Sequence, residues 1–297
     1  MSTAKDYIQL HFIVFLWGFT AILGLLISIP SVEIVFWRTL LAAAGLGVLL
    51  LLRKRDFKIG FVEGLKIGGT GVLISLHWIL FFASARVSTA SVCLAGMATC
   101  SLWTSLLEPI LFKRSIKLFE VMLGTVVIIG LYVIFRFEFD HALGLTMAIV
   151  SAILSALFSV LNAKFTHRHN PYMITFYEML GACLGTVLFF PLYTGLFSDA
   201  GLKLLPKGLD WVYILILALV CTVYAYSISV ELMKRMTAFV VNLAVNLEPV
   251  YGIILALIIF GEKEQMQPGF YLGTAIILLS VLAYPILNRL FKSGRLI

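Results

Sequence analysis

Apolar residues run in ten long stretches along the chain, near positions 8–28, 33–52, 65–84, 88–111, 119–136, 142–163, 172–194, 211–232, 238–260 and 268–290. A bilayer hydrocarbon core about 30 Å thick takes about 20 residues of helix at a rise of about 1.5 Å per residue, so each stretch is long enough to cross. The pattern predicts an all-α integral membrane protein of ten transmembrane helices joined by short loops. The first apolar run lacks a small-residue cleavage pattern and is expected to stay as a span.

Composition agrees with the pattern. Apolar residues make up 61% of the 297 positions and charged residues 12%, about half the charged fraction of a soluble domain. Ten spans would use roughly 200 residues, which leaves no room for a soluble catalytic or nucleic-acid domain. The net charge of +7 therefore reads as loop charge facing anionic lipid. Its distribution gives a topology. One set of alternate loops and both termini hold Lys5, Arg53, Lys54, Arg55, Lys58, Lys66, Lys113, Arg114, Lys117, Lys164, Arg168, Lys234, Arg235, Arg289, Lys292 and Arg295. The other set holds Arg86, Arg136, Lys203, Lys207 and Lys263, and sixteen against five places both termini in the cytoplasm of a bacterial-type inner membrane. Arg38 belongs to neither set. Cys93, Cys100, Cys183 and Cys221 all fall in apolar runs without metal-ligand spacing and read as reduced packing residues.

The two halves resemble each other. Ile34-Val35-Phe36-Trp37-Arg38 matches Ile174-Thr175-Phe176-Tyr177-Glu178 at an offset of 140, as do Leu40, Ala42 and Gly45 with Leu180, Ala182 and Gly185. At an offset of 148, Thr89, Ala90, Val92, Ile110 and Phe112 fall on Thr237, Ala238, Val240, Ile258 and Phe260. Five spans per half is an odd number, so residues 1–140 and 141–297 are expected to form two inverted five-helix repeats with a binding site near midplane between them. The identical triplets Leu107-Glu108-Pro109 and Leu247-Glu248-Pro249 do not share this register. Glu108 lies a turn from Lys113 and Arg114, which favours a solvated or ion-paired interfacial role.

Three segments resemble the ten-helix EamA-type branch of the drug/metabolite transporter superfamily: Phe15-Leu16-Trp17-Gly18, Phe36-Trp37-Arg38-Thr39-Leu40-Leu41-Ala42, and Asn246-Leu247-Glu248-Pro249-Val250 followed by Phe260-Gly261-Glu262-Lys263. The first half departs from the closing pattern, with Ser101 and Lys113-Arg114 where proline and Gly-Glu would stand. The resemblance implies a central cavity lined by helices 1–4 and 6–9, helices 5 and 10 outside it, and export of amino acids, drugs or other metabolites.

Polar groups deep in a bilayer are costly and are functional candidates by default. His77 and Glu248 lie about 15 Å from the cytoplasmic ends of their spans, Arg38 lies nearer the outer face and Glu178 nearer the inner one. That depth makes Arg38 and Glu178 poor partners and leaves Glu248 as the carboxylate able to reach Arg38. Arg38 suits an anionic group such as a substrate carboxylate. Asn242, Asn246 and Pro249 share one helix face, and Pro249 frees the carbonyl of Val245. The Asn pair serves either to line a site or to bond a neighbouring helix. Trp17, Trp78, Tyr224 and Tyr226 lie in spans expected to face the cavity, but Tyr224 and Tyr226 are two residues apart and at most one lines it; Tyr224 is the candidate taken forward. Trp37 and Trp211 stand near span ends and read as interfacial anchors. Glu248 and His77 are the proton-coupling candidates, since burial of a carboxyl disfavours its charged form, water exposure favours it, and an imidazole titrates near pH ~6.5.

These features point to a secondary transporter working on a small-molecule solute in the lipid bilayer, with protons as a second partner and no nucleic acid, cofactor or metal. No nucleophile elbow, zinc motif, P-loop or carboxylate cluster points to an enzyme. A lipid flippase and an uncoupled facilitator or channel remain the alternatives on the same fold.

Overall fold

A computed structural model describes residues 2–54, 58–113, 115, 118–137, 139–198 and 201–292. The described residues are helical throughout, apart from loops: α1 Ala4–Trp17, α2 Thr20–Leu26, α3 Ser31–Leu52, α4 Phe61–Val87, α5 Ala90–Met97, α6 Cys100–Phe112, α7 Leu118–Phe137, α8 Ala142–Phe165, α9 Pro171–Leu196, α10 Asp210–Leu215, α11 Ala225–Leu232, α12 Ala238–Val245, α13 Glu248–Phe260 and α14 Pro268–Lys292. A π-helical stretch, Ile216–Tyr224, joins α10 to α11. Eight continuous or once-interrupted helices among the described residues are long and apolar enough to cross a membrane, and two shorter apolar segments, Met122–Ile134 and Pro268–Ser280, lie within α7 and α14.

Three of the spans break in the middle. Gly18-Phe19 separates α1 from α2, Ala98-Thr99 separates α5 from α6, and Asn246-Leu247 separates α12 from α13. Proline accounts for the last break: Pro249 occupies the first turn of α13 and has no N–H to offer the Val245 carbonyl. Close approach accounts for the first, because a Cβ on Gly18 would lie 3.0 Å from Tyr251 Cβ and 3.4 Å from the Gly252 nitrogen.

The repeat seen in the sequence recurs in the helix ends. Helices α5 and α6 span 90–97 and 100–112, α12 and α13 span 238–245 and 248–260, and all four ends differ by the same 148 residues. Thr89 caps α5 by accepting from Val92 N–H, and Thr237 caps α12 by accepting from Val240 N–H. Lys113 at the end of α6 and Gly261 at the end of α13 both have positive φ, 55° and 59°. Helices α3 and α9 start 140 residues apart.

A glutamate from the other half holds the start of α5 and the start of α12. Glu264 accepts from Ala90 and Ser91 N–H, both at 2.9 Å, and from Ser91 Oγ at 2.7 Å. Glu108 accepts from Phe239 N–H at 3.0 Å and is buried. The solvated role expected for Glu108 is therefore corrected: the folded chain buries it at the start of α12, where it accepts a backbone N–H that the helix itself cannot pair.

Contacts between loops sort the chain into two ends. At one, Arg235 Nη2 lies 2.7 Å from Asp6, Arg53 stacks 5.1 Å from Tyr172, and His169 meets Glu63. At the other, Asp210 accepts from Ser28 N–H and Oγ, Glu33 from Lys203 N–H, and Arg86 donates to the carbonyls of Gly24 and Ile27. Trp37 donates to Leu204 O and packs edge to face on Trp211, centroids 4.9 Å apart, at this second end. Arg55, Arg114, Lys117 and Arg295 lie outside the described residues, as do the side chains of Arg289 and Lys292.

Helix α7 packs on α14 through Gly130 and Gly273, each of which would direct a Cβ at the other's carbonyl. Helix α4 packs between α8 and α9 and meets α9 glycine to backbone, at Gly71 against Glu178 and at Gly181 against Gly68.

Candidate functional site

Beside the helix breaks lies a partly open cavity with about 680 Å³ of empty space. Its walls come from α1 and α2 (Trp17, Thr20), α3 (Arg38), α4 (His77, Trp78, Phe81), α5 (Met97), α8 (Ser155, Phe158, Ser159, Asn162), α11 (Tyr226, Ser229), the start of the following loop (Met233), and α12–α13 (Asn242, Val245, Glu248). Helix α9 contributes no lining, contrary to what the resemblance implied for the seventh span, because Tyr226 and Asn162 stand between it and the cavity.

Arg38 is 2% exposed, and its guanidinium carbon sits 3.7 Å from the centroid of the Trp78 ring. Its Nε donates to Thr222 Oγ1 at 2.9 Å. Thr222 lies in the π-helical stretch and donates five residues back to Leu217 O at 2.8 Å, so the widened turn is what presents its oxygen to Arg38. Among the described residues no carboxylate oxygen lies within 4.0 Å of Arg38, and its Nη groups have no protein acceptor. Glu248 lines the same cavity and is 7% exposed; Thr20 Oγ1 donates to Glu248 Oε1 at 3.4 Å and to Trp17 O at 2.7 Å. The cavity thus holds a buried cation and a buried carboxyl that share it without forming an ion pair.

The remaining candidates divide. Trp17 lines the cavity and donates its Nε1–H to Cys221 O at 2.9 Å. His77 lines it too, but its Nδ1 is held by Ser151 O at 3.0 Å and Ser151 Oγ at 2.7 Å, which leaves Nε2 as its free nitrogen. Asn242 reaches the cavity and also bonds Thr104 Oγ1 at 2.8 Å and Ser159 Oγ at 3.3 Å. Asn246 is absent from the lining and donates to Ser101 Oγ at 2.6 Å, so it joins α6 to the break before α13. Pro249 is buried outside the cavity. Tyr224 points away, 44% exposed and against Phe12, with centroids 6.4 Å apart; Tyr226 takes the inward position.

Sequence reasoning passed over Tyr226, Asn162 and Glu178 as a group. Asn162 Nδ2 donates to Tyr226 Oη at 2.7 Å, and Tyr226 Oη donates to Glu178 Oε2 at 3.1 Å. The signals available were the intramembrane position of Glu178 and the 140-residue match that pairs it with Arg38.

Apolar spans around a central cavity that holds Arg38, His77 and Glu248 define a multi-pass membrane protein with the architecture of a transporter. The chain belongs to the EamA-like transporter family, whose sequence profile matches it twice, over residues 7–136 and 142–284. No curated protein matches it in sequence. A solved structure titled only "Crystal structure of protein" superposes with a TM-score of 0.70 at 15% identity, covering 97% of this chain and 100% of the other. At that identity the likeness is one of fold.

Proposed function

We propose that this chain is a secondary transporter that exports small metabolites such as amino acids or drugs by alternating access. The observation that carries the reading is Arg38: a buried guanidinium stacked on Trp78 in the lining of a cavity that also holds Glu248, its Nη groups bonded to no acceptor among the described residues. A cation without a protein anion is a site for a ligand anion, and Glu248 with the aromatic walls suits an amine and an apolar side group. A zwitterionic amino acid or a related metabolite has this combination.

In this reading α1–α2, α3, α4, α5–α6 and α7 are the five spans of a first repeat over residues 1–140. Helices α8, α9, α10–α11, α12–α13 and α14 are those of an inverted second repeat over 141–297. Both termini face the cytoplasm of an inner membrane, on the strength of the sixteen-to-five distribution of basic residues. Glu248 is the proposed proton-coupling group, with His77 as a second, because both line the solute cavity.

A thermal-shift panel of amino acids, amines, nucleosides and cationic drugs identifies the solute, since selective binding stabilises the folded protein. With that solute, proteoliposome uptake under an imposed pH gradient is compared between wild type and Glu248→Gln. Coupling predicts that the variant keeps pH-independent exchange and loses gradient-driven accumulation. Absence of accumulation by the wild type ends the proton-coupling reading.

A further inference from the structure

We propose that Glu178, together with Tyr226 and Asn162, forms a proton-binding site behind the cavity wall, loaded through the Tyr226 hydroxyl. Glu178 and Asn162 are both 0% exposed. Each has an oxygen with no hydrogen-bond partner, Glu178 Oε1 and Asn162 Oδ1, and both residues bond the same Tyr226 hydroxyl through their other polar atom. The cluster therefore has more acceptors than donors, in a region of low dielectric where an unmade bond is costly. One proton on Glu178 Oε1 neutralises the carboxylate and supplies the donor the cluster lacks.

The neighbouring charges leave this need unmet. Helix α9 packs against α4, α3 and α11. Helix α4 offers His77, whose Nδ1 is taken by Ser151, and Lys66, which is 2.7 Å from Glu63. Helix α3 offers Arg38, which bonds Thr222, and α11 offers Tyr226. Beside Asn162 on α8 the nearest cation along the helix is Lys164. None of these cations lies within 4.0 Å of a Glu178 oxygen. A metal ion in place of the proton would need several oxygens and open space, whereas the backbone of Glu178 lies directly against Gly71 and the residue does not line the cavity.

Tyr226 supplies the route. It is 6% exposed, lines the cavity, and already donates to Glu178 Oε2. When it passes that proton to Glu178 Oε2, its oxygen takes one from a hydronium ion in the cavity, which is left as water; the tyrosine is unchanged, and a half-turn of the neutral carboxyl brings the proton to the unpartnered Oε1 position.

The test uses the full-length protein in lipid and needs no solute, so its outcome is independent of whether transport is demonstrated. Infrared spectra at neutral pH are compared for wild type, Glu178→Gln and Glu248→Gln. The expected result is a protonated-carboxyl C=O band that disappears in Glu178→Gln and persists in Glu248→Gln. The glutamine variant is also expected to melt no lower than wild type, because its amide N–H₂ is the donor that the proton provides. A wild-type spectrum without a band that depends on Glu178 overturns the proposal. If Glu178→Gln does not fold, Tyr226→Phe decides: loss of the hydroxyl must shift the band and slow its hydrogen–deuterium exchange, and an unshifted, normally exchanging band overturns the proposal equally.

Discussion

Arg38 and Trp78, forty positions apart on α3 and α4, meet with the guanidinium carbon 3.7 Å from the ring centroid. The contact fixes a planar cation with no carboxylate oxygen within 4.0 Å among the described residues, and in the proposed function its Nη groups bind the anionic group of the solute. Lysine keeps the charge but not the plane or the fork of donors. Arg38→Lys is expected to weaken binding of the solute found in the thermal-shift panel by roughly tenfold or more, with folding retained. Isothermal titration against wild type checks this; unchanged affinity makes Arg38 a structural residue.

Lys113 ends α6 with φ 55° and ψ 46°, where Gly261 ends α13 in the other half. A side chain in the left-handed region costs roughly 1 kcal/mol, and glycine adopts it freely. Lys113→Gly is expected to raise the thermal midpoint in detergent by a few degrees. A fall would mean that the lysine side chain contributes more than its strain costs.

Glu264 accepts three hydrogen bonds at the start of α5. Glu264→Ala strands two buried backbone N–H groups and is expected to destabilise the protein by about 2–4 kcal/mol. Glu264→Gln keeps an acceptor and should lose roughly half as much. Thermal denaturation of both variants gives the ordering, and equal losses would contradict it.

How far the sequence was legible depends on what each feature needs. Eight of the spans and the 148-residue register were legible, because apolar length and the Thr89/Thr237 caps are local signals that recur in the helix ends. The break at Ala98-Thr99 was not, since neither residue is a helix breaker and Pro109 sits inside α6 rather than at the gap. For Tyr224 and Tyr226, helix geometry gave the rule that one alone faces inward. The π-helical stretch Ile216–Tyr224 then shifts the register of everything after it, so ideal periodicity could not say which. Asn242 and Asn246 were legible as one face, but their partners Thr104 and Ser101 belong to a helix about 140 positions away. Glu178 was legible as an intramembrane carboxyl; its place behind Tyr226 depends on α4 and α9 meeting at glycines.

A cysteine at Thr3 tests the orientation. The native Cys93, Cys100 and Cys221 are buried and Cys183 is partly so, which leaves Thr3→Cys the readily labelled thiol once Cys183 is replaced. Cytoplasmic termini predict no reaction with a membrane-impermeant maleimide in intact cells and full reaction after permeabilisation. Labelling of intact cells would reverse the topology.

The carrier reading itself is tested most directly by solute counterflow in proteoliposomes, using the compound selected by the thermal-shift panel. Unlabelled solute inside should drive transient, saturable accumulation of labelled solute from outside, and Arg38→Gln should abolish it while remaining folded. A non-saturating flux or an ohmic current through the wild-type protein would contradict alternating access around the Arg38 site.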